Sequence, residues 1–189
     1  MSETAKLILG DQEYEFPIIT GSENEKAIDI SKLRASTGGY ITIDPGFKNT
    51  GSCTSSITFL NGEEGILRYR GYSIEELAEK GDFLEVTYLL IFDKLPNKAE
   101  RSKFEKDIQK YTIVNEEMKD ILEGFPRSAH PMGILSSLTS ALTAFNPRSL
   151  DPNNEREAYQ AICRTLAKFF VLTTWVHRRR EGLPLNYYN

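Results

Sequence analysis

Cysteine and histidine are both scarce in this chain, which has two of each among its 189 residues. Cys53 and Cys163 are too few and too far apart in sequence to indicate a disulfide framework, and we expect each to be a small buried thiol. His130 and His177 have no Cys or His around them at the spacing of metal ligands. The sequence therefore predicts neither a disulfide-stabilised fold nor a metal site.

Long apolar runs are also missing, since no stretch reaches the roughly 18 residues that indicate a membrane span. The N-terminal residues MSETAKLILG lack a basic region followed by a long apolar core, so we expect no signal peptide and a cytoplasmic protein. A net charge of −4 argues against nucleic acid or an anionic membrane as a partner. The local exception, Arg178-Arg179-Arg180, is interpreted as the solvated cationic end of a helix, with a phosphate-binding patch as the alternative.

Signatures of several enzyme classes do not occur either. The sequence contains neither a GxGxxG nor a P-loop pattern, and no local arrangement typical of a Ser/His/Asp triad. Paired acids such as Glu63-Glu64 are interpreted as surface charge, because nothing in the sequence places two carboxylates across a cleft. What is present suits a soluble globular protein, with 40% apolar and 26% charged residues.

The first 48 residues are predicted to form a small β-rich segment. Ala5–Leu9 and Tyr14–Phe16 flank Gly10-Asp11-Gln12, a pattern typical of a β-hairpin. Further on, Tyr40–Ile43 is expected to be extended. Residues 49–189 form the second predicted domain.

A second hairpin and a helix open that domain. Ser56–Leu60 and Ile66–Tyr69 are short apolar runs around NGEEG, whose glycines and asparagine supply the positive-φ positions of a tight reversal. Ser73 followed by Glu76 forms a capping box, which predicts a helix over residues 74–80.

The rest of the chain has the periodicity of helices. Five more are predicted, over residues 83–92, 97–111, 115–123, 131–145 and 155–181. The first contains the β-rich run EVTYLLIF, for which a strand is the alternative; helix is favoured because Gly81-Asp82 precedes it and Pro96 follows it. The predicted fold class is mainly α, preceded by a β-rich segment and a hairpin. The tyrosines at 187 and 188 are expected to be exposed.

The predicted helix over residues 131–145 differs from the others because it contains no charged residue. Its apolar side chains form one stripe, and its opposite face carries Ser, Thr, Ala and Gly. A helix without a charged face is buried on most sides. We therefore expect it either to be central in a larger domain or to meet another subunit through its second face.

Several segments together resemble one protein family. ITFLNGEEGILRYRGYSIEELAE, at residues 57–79, is similar to the segment of citrate synthases that leads into their large helical domain. Further similarities are DPGF at 44–47, FLEV at 83–86, SAHPM at 128–132 and SLD at 149–151. The chain is thereby identified as resembling the N-terminal portion of a bacterial, type II citrate synthase, over essentially its whole length.

The resemblance implies part of the citrate synthase-like large domain and, for the full-length enzyme, condensation of acetyl-CoA with oxaloacetate and water to citrate and CoA. The family's catalytic residues match no position here, so no catalytic residue is assigned and the chain alone is expected to be inactive. His130 matches a turn before a helix, where capping is expected. Acetyl-CoA is a substrate, and no cofactor is expected. The alternatives are a 2-methylcitrate synthase fragment and a non-enzymatic dimerisation or interaction module.

The resemblance also implies partners. Family helices equivalent to residues 115–123 and 131–145 contribute to the subunit interface, which predicts a homodimer or a hexamer built from dimers. Some type II enzymes bind NADH as an allosteric inhibitor. Arg164 and Lys168 match cationic positions of that site, and Lys110 and Thr112 lie near its other matching positions, so these four residues form a possible allosteric nucleotide site. Tyr111 and Asn146 depart from that pattern, where such enzymes can have histidine and tyrosine. Solvated helix charges are the competing interpretation.

Overall fold

The structure is a computed structural model that describes residues 3–146 and 151–187. It divides into two compact units, residues 1–56 and 57–189. The domain boundary predicted at residues 48 and 49 stays a prediction, because compactness alone does not define a domain. Ser149, Leu150 and Tyr188 lie outside the described residues, so the family similarity expected at 149 and 150 and the exposure expected at 188 stay expectations.

The first unit is built on a three-stranded antiparallel sheet. Strands β1 (Thr4–Leu9), β2 (Gln12–Thr20) and β3 (Lys26–Ile28) are paired in that order, and a single turn of helix, α1 (Leu33–Ser36), follows. Leu9 pairs with Gln12 across a tight turn in which Gly10 has φ +63°, so the predicted hairpin is confirmed. Residues 40–43 follow as irregular chain with exposed side chains.

The second unit starts with the other predicted hairpin. Strands β4 (Thr58–Asn61), β5 (Ile66–Tyr69) and β6 (Tyr72–Ser73) form an antiparallel sheet, which confirms the hairpin. Helix α2 (Ile74–Lys80) begins where the Ser73 hydroxyl accepts from the Glu76 amide, at 3.2 Å.

Five further helices follow: α3 (Phe83–Phe92), α4 (Lys98–Gln109), α5 (Glu117–Glu123), α6 (Pro131–Ala141) and α7 (Glu155–Arg180). A capping box between Asp82 and Glu85 starts α3, so the strand alternative is wrong. Helix α6 ends at Ala141, and the predicted extension to residue 145 is instead a series of turns. At about 1.5 Å per residue, the 26-residue α7 is about 39 Å long.

Helix α7 is the element around which the second unit packs. One cluster of buried side chains joins α7 to α5 and α6, and includes Trp175, Leu172, Leu138, Met118 and Leu122. A second cluster joins it to α3 and α4. The chain then turns back after α7, so that the Trp175 indole donates to the Asn186 carbonyl at 2.9 Å and the ring of Tyr187 packs 5.4 Å from that of Trp175. The expectation that Tyr187 is exposed is therefore wrong.

The two cysteines differ in their surroundings. Both are free thiols; Cys163 is buried on α7, as expected, but Cys53 is exposed, so the expectation of a buried thiol is wrong there. Burial raises the pKa of the Cys163 thiol. Among the helices that the structure describes, none has both the length and the apolar character needed to cross a membrane.

Candidate functional site

The residues predicted for the nucleotide site converge on the turn between α4 and α5. The Lys168 ammonium donates to the Ile113 carbonyl at 2.8 Å, which joins the middle of α7 to this turn. One helical turn earlier on α7, the Arg164 guanidinium lies over the ring of Tyr111, 5.6 Å from its centroid. We call Lys103, Lys110, Arg164 and Lys168 the cation cluster.

Lys168 is the most buried member of the cation cluster, with 8% of its surface exposed. Burial lowers the pKa of its ammonium group, and the neighbouring charge of Arg164 lowers the pKa further. Solvated helix charges are thus the wrong interpretation for Lys168. Its hydrogen bond to a carbonyl compensates for part of the water that this ammonium group has lost.

Arg164 is held by both residues that depart from the family pattern. Besides lying over Tyr111, it donates to the Asn146 side-chain oxygen at 3.1 Å. Asn146 in turn donates to the Leu142 carbonyl at 2.9 Å, just beyond α6. The two substituted positions therefore give this arginine partners within its own chain.

Lys110 and Thr112 also have internal partners. The Lys110 ammonium lies 2.6 Å from one Asp107 oxygen, while the other oxygen accepts from Lys103 and from the Tyr159 hydroxyl, both at 2.9 Å. Hydrogen bonds from the two lysines hold the pKa of Asp107 well below its usual range, and burial raises the pKa of Tyr159. The Thr112 hydroxyl donates to the Gln109 carbonyl at 3.0 Å.

A groove of about 510 Å³ runs between α3, α4 and α7, and shares Thr112 with the predicted site. Its volume is in the range of small-molecule pockets. The walls are mainly apolar, and the rings of Phe83 and Phe170 meet edge to face there with centroids 5.1 Å apart. Glu105 and Arg178 are the ionisable side chains on α4 and α7 that line it.

Helix α6 presents an uncharged surface to solvent. Its exposed residues are Met132, Gly133, Ser136, Ser137 and Ser140. The hydroxyls of Ser136 and Ser137 donate to the Gly133 carbonyl, at 3.1 and 2.9 Å, so they are already hydrogen-bonded within the helix. A Cβ added at Gly133 would meet no atom within 4 Å. We call this surface the α6 face.

The histidines have no catalytic arrangement around them in the part of the chain that the structure describes. His130 precedes α6, and its Nδ1 accepts from the Met132 amide at 3.3 Å, which confirms the predicted capping role. His177 is exposed on α7. Within residues 3–146 and 151–187, no group of three or more His, Cys, Asp or Glu side chains is placed to hold a metal ion.

Sequence reasoning missed the role of Arg179. Its guanidinium donates to the carbonyls of Leu122, Glu123 and Phe125, at 2.9, 2.6 and 2.7 Å, and so caps the end of α5. The solvated helix end predicted for residues 178–180 is therefore wrong for Arg179. The basic run was visible in the sequence, but its acceptors lie more than 50 residues away.

Sequence reasoning also missed Asp107 and Tyr159. The spacing of Lys103, Asp107 and Lys110 along α4 is i, i+4 and i+7, which is a readable signal for ion pairs on one helix face. Tyr159 lies 52 residues from Asp107, and the sequence carries no local sign of that contact.

Comparison with known proteins identifies relatives of this fold. A family model described as citrate synthase, C-terminal domain, matches residues 46–189. Citrate synthase 1 of Mycobacterium tuberculosis is 40% identical over 185 residues, which are 98% of this chain and 43% of that protein. Citrate synthase of Corynebacterium glutamicum is 42% identical over 175 residues, 93% of this chain and 40% of that protein. The chain thus spans less than half the length of these relatives.

Solved structures agree with the fold. A ternary complex of citrate synthase from Thermoplasma acidophilum with carboxymethyl coenzyme A and oxaloacetate aligns with a TM-score of 0.72 at 21% identity, over 78% of this chain and 39% of that one. Citrate synthase from Thermotoga maritima aligns with a TM-score of 0.62 at 29% identity, over 76% of this chain and 36% of that one. The helical fold and the family match lead to one conclusion: this chain belongs to the citrate synthase family.

Proposed function

We propose that this chain is the N-terminal portion of a citrate synthase, which condenses acetyl-CoA with oxaloacetate and water to give citrate and CoA. The observation that supports this most strongly is 40% identity, over 98% of the chain, to a protein named citrate synthase 1. We include a place in the tricarboxylic acid cycle and in the cytoplasm in this proposal.

In this proposal the chain supplies scaffold, and the reacting groups come from the rest of the enzyme. Arg179, Lys168 and Trp175 each anchor α7 to another part of the second unit, which gives the rigid support that an active site needs. No residue here is assigned to substrate binding. We therefore expect the 189-residue chain alone to release no thiol from acetyl-CoA in the presence of oxaloacetate.

A chimera tests the proposal. Residues 1–187 would be joined to the part of the Corynebacterium glutamicum enzyme that follows the matched portion, and CoA release would be followed with a thiol reagent. We expect activity from the chimera and none from either part alone. A chimera that folds, as judged by circular dichroism, but shows no CoA release would contradict the proposal.

Two alternatives are distinguished by other measurements. The names of the relatives favour citrate synthase over 2-methylcitrate synthase, and comparing kcat/KM for acetyl-CoA and propionyl-CoA in the full-length enzyme separates these two. A non-enzymatic interaction module predicts a native protein close to 21.5 kDa. Intact mass spectrometry of the protein captured from its source cells would instead give more than twice that mass if the citrate synthase proposal holds.

We further propose that the α6 face, together with α5, forms a homodimer interface, alone or within a hexamer. The support is an uncharged exposed face whose hydroxyls are internally hydrogen-bonded, and a glycine over which nothing lies in this chain. A helix residue without a side chain lets a second helix approach closely. A stable interface of this kind buries roughly 1,200–2,000 Å² in total.

Gly133 provides the test of this interface. Gly133→Leu has room within the chain, so it should leave the helical circular dichroism unchanged while it dissociates the dimer in light scattering. Gly133→Ala is the matched small control. A wild-type chain that is strictly monomeric, or a dimer that Gly133→Leu and Ser137→Glu both leave intact, would contradict the interface.

Finally, we propose that Arg164, Lys168, Lys110 and Thr112 form a weak site for the phosphates of a nucleotide such as NADH. The support is the convergence of these residues on one turn. Because internal groups already pair with each of them, binding must replace existing hydrogen bonds and is expected to be weak. Loss of NADH binding on Arg164→Ala, measured by isothermal titration calorimetry, tests the site.

A further inference from the structure

The groove between α3, α4 and α7 has a straight wall formed by one face of α7. The residues of α7 that line it are Ala167, Phe170, Val171, Thr174 and Arg178. Their spacing is i, i+3, i+4, i+7 and i+11, so they form a single stripe along the helix. At about 1.5 Å per residue this stripe is about 16 Å long, which is the length of about three helical turns.

The opposite wall has the same periodicity. Glu105, Ile108 and Gln109 of α4, with Thr112 just after it, line the groove at a spacing of i, i+3, i+4 and i+7. Two neighbouring helical stripes leave a furrow into which the side chains of a third helix pack. An extended segment would find few partners for its backbone groups between these mainly apolar walls, whereas a helix satisfies its own. The shape of the groove therefore suits a helix.

Large aromatic side chains at the rim of the groove are exposed to solvent. The floor is buried, with Val171 at 4% and Ile108 at 6% exposure, but Phe83 is 59% exposed and Phe170 is 45% exposed. The two phenylalanine rings contact each other edge to face, so their exposed areas adjoin. Adjoining apolar surface of this kind marks an interaction site, since covering it with another apolar surface is favourable.

The residues that follow α7 reach this groove. Asn186 and Tyr187 both line it, and both are held there by hydrogen bonds. The Asn186 carbonyl accepts from the Trp175 indole at 2.9 Å, and the Tyr187 hydroxyl donates to the Glu116 carboxylate. Packing of the Tyr187 ring on that of Trp175 adds to these contacts. The main chain at residues 186 and 187 is therefore fixed beside the groove.

We propose that the segment that follows Asn189 in the full-length protein forms an amphipathic helix of about three turns and occupies this groove. The inference rests on the proposal that this chain is the N-terminal portion of a longer enzyme, whose relative in Mycobacterium tuberculosis is matched over 43% of its length. A helix joined to residue 187 by a short loop has a high effective concentration at the groove, which favours it over a second copy of the chain.

Photo-cross-linking in the full-length protein tests this occupant. Phe170 is replaced by p-benzoylphenylalanine, and the peptide that it captures on irradiation is identified by mass spectrometry after digestion. We expect a peptide from within about 30 residues after Asn189, since a loop between packed helices has about 2–8 residues and three turns have about 11.

The same replacement at Phe169 is the matched control. Phe169 is the preceding residue on α7 and is 43% exposed, but it does not line the groove. It should capture at least about fivefold less of the expected peptide, because consecutive residues of a helix point about 100° apart. Should the replacement at Phe170 reduce helical circular dichroism, the replacement at Phe83, on the α3 side of the groove, carries the same expectation.

Capture of the following segment from Phe170 or Phe83, and not from Phe169, supports the proposal. A cross-link between two copies of the protein, capture only of peptides further along the chain, equal capture from Phe169, or no cross-linked peptide would overturn it. The expected cross-link in a full-length protein that releases no CoA would refute the enzyme proposal alone. A native mass close to 21.5 kDa would overturn both proposals.

Discussion

The two compact units differ in how much side-chain packing stabilises them. Among the described residues of the first unit, the buried apolar side chains are Phe16 and Leu33. Its exposed large apolar side chains are Ile8, Ile19, Ile28, Tyr40, Ile41, Ile43 and Phe47. In the second unit, fully buried Trp175, Phe104 and Leu138 lie in clusters that bring several helices together.

The difference shows that a regular hydrogen-bonded sheet can form where few apolar side chains are buried. The first unit has a regular antiparallel ladder with a thin apolar core, whereas a three-stranded sheet needs a hydrophobic face to pack in order to be stable by itself. The second unit has little sheet but two buried clusters that both include side chains of α7. Substitutions in the second unit should therefore report on packing, whereas those in the first should report mainly on exposed surface.

The largest effect is expected from Leu138→Ala. Leu138 has 0% of its surface exposed, so truncation removes buried methyl groups and leaves a cavity, at a cost of about 2–5 kcal/mol in the free energy of unfolding. Ile43→Ala, at a position 87% exposed in the first unit, should cost less than about 0.5 kcal/mol. Urea unfolding followed by circular dichroism measures the free energy of unfolding of both variants. Similar losses for Leu138→Ala and Ile43→Ala would contradict the difference in packing between the two units.

An intermediate effect is expected from Arg179→Ala. The substitution leaves the carbonyls of Leu122, Glu123 and Phe125 without their donor, at a cost of about 2 kcal/mol. The matched control is Arg180→Ala, which removes the same charge at an exposed position and should be close to neutral. If Arg180→Ala destabilises the chain as much as Arg179→Ala does, the helix dipole rather than the three hydrogen bonds is responsible.

The smallest effect is expected from Asp107→Asn, and it should depend on pH. Because the pKa of Asp107 is lowered in the folded chain, its ionised form adds stability above the unfolded-state pKa of about 4, and this contribution is lost as the pH falls further. The free energy of unfolding should therefore be lower in Asp107→Asn than in the wild type at neutral pH, by less than about 1 kcal/mol. This difference should shrink below pH 4.

Asp44→Asn in the first unit is the companion measurement for Asp107→Asn. A hydrogen bond with the Thr50 side chain lowers the pKa of Asp44, and the Asn49 amide lowers it as well, so that the same sign of pH dependence is expected there. Thermal unfolding between pH 2 and 7 compares the two. If the stability difference between wild type and Asp107→Asn stays constant across this pH range, the shape of the side chain rather than its charge accounts for the loss of stability.

Local patterns in the sequence predicted most of the secondary structure. Ser73 and Asp82 mark helix starts because their side chains bond to amides within three residues. The two hairpins were predicted for the same reason, since turn residues act on their immediate neighbours. The end of α6 was predicted four residues too late, because apolar periodicity continues into Leu142 and Phe145, which pack on the core without being helical.

The candidate site was only partly predictable. Family similarity identified Arg164, Lys168, Lys110 and Thr112, but not the groups that pair with them. The Ile113 carbonyl and the Asn146 side chain lie 55 and 18 residues from their partners. Hydrogen bonds between residues so far apart leave no periodic pattern in the sequence. The burial of Lys168, which the sequence suggests to be solvated on its helix, could therefore not be predicted.

The sequence by itself determined the family, the helical class and the uncharged character of α6, because residue types and their short-range order carry that information. The tertiary structure alone decided that Arg179 caps α5, that Asp107 pairs with two lysines of the cation cluster, and that Tyr187 packs on Trp175. The physical reason is that side-chain partners are chosen by proximity after α7 has packed, and proximity between distant residues exists only once the core has formed.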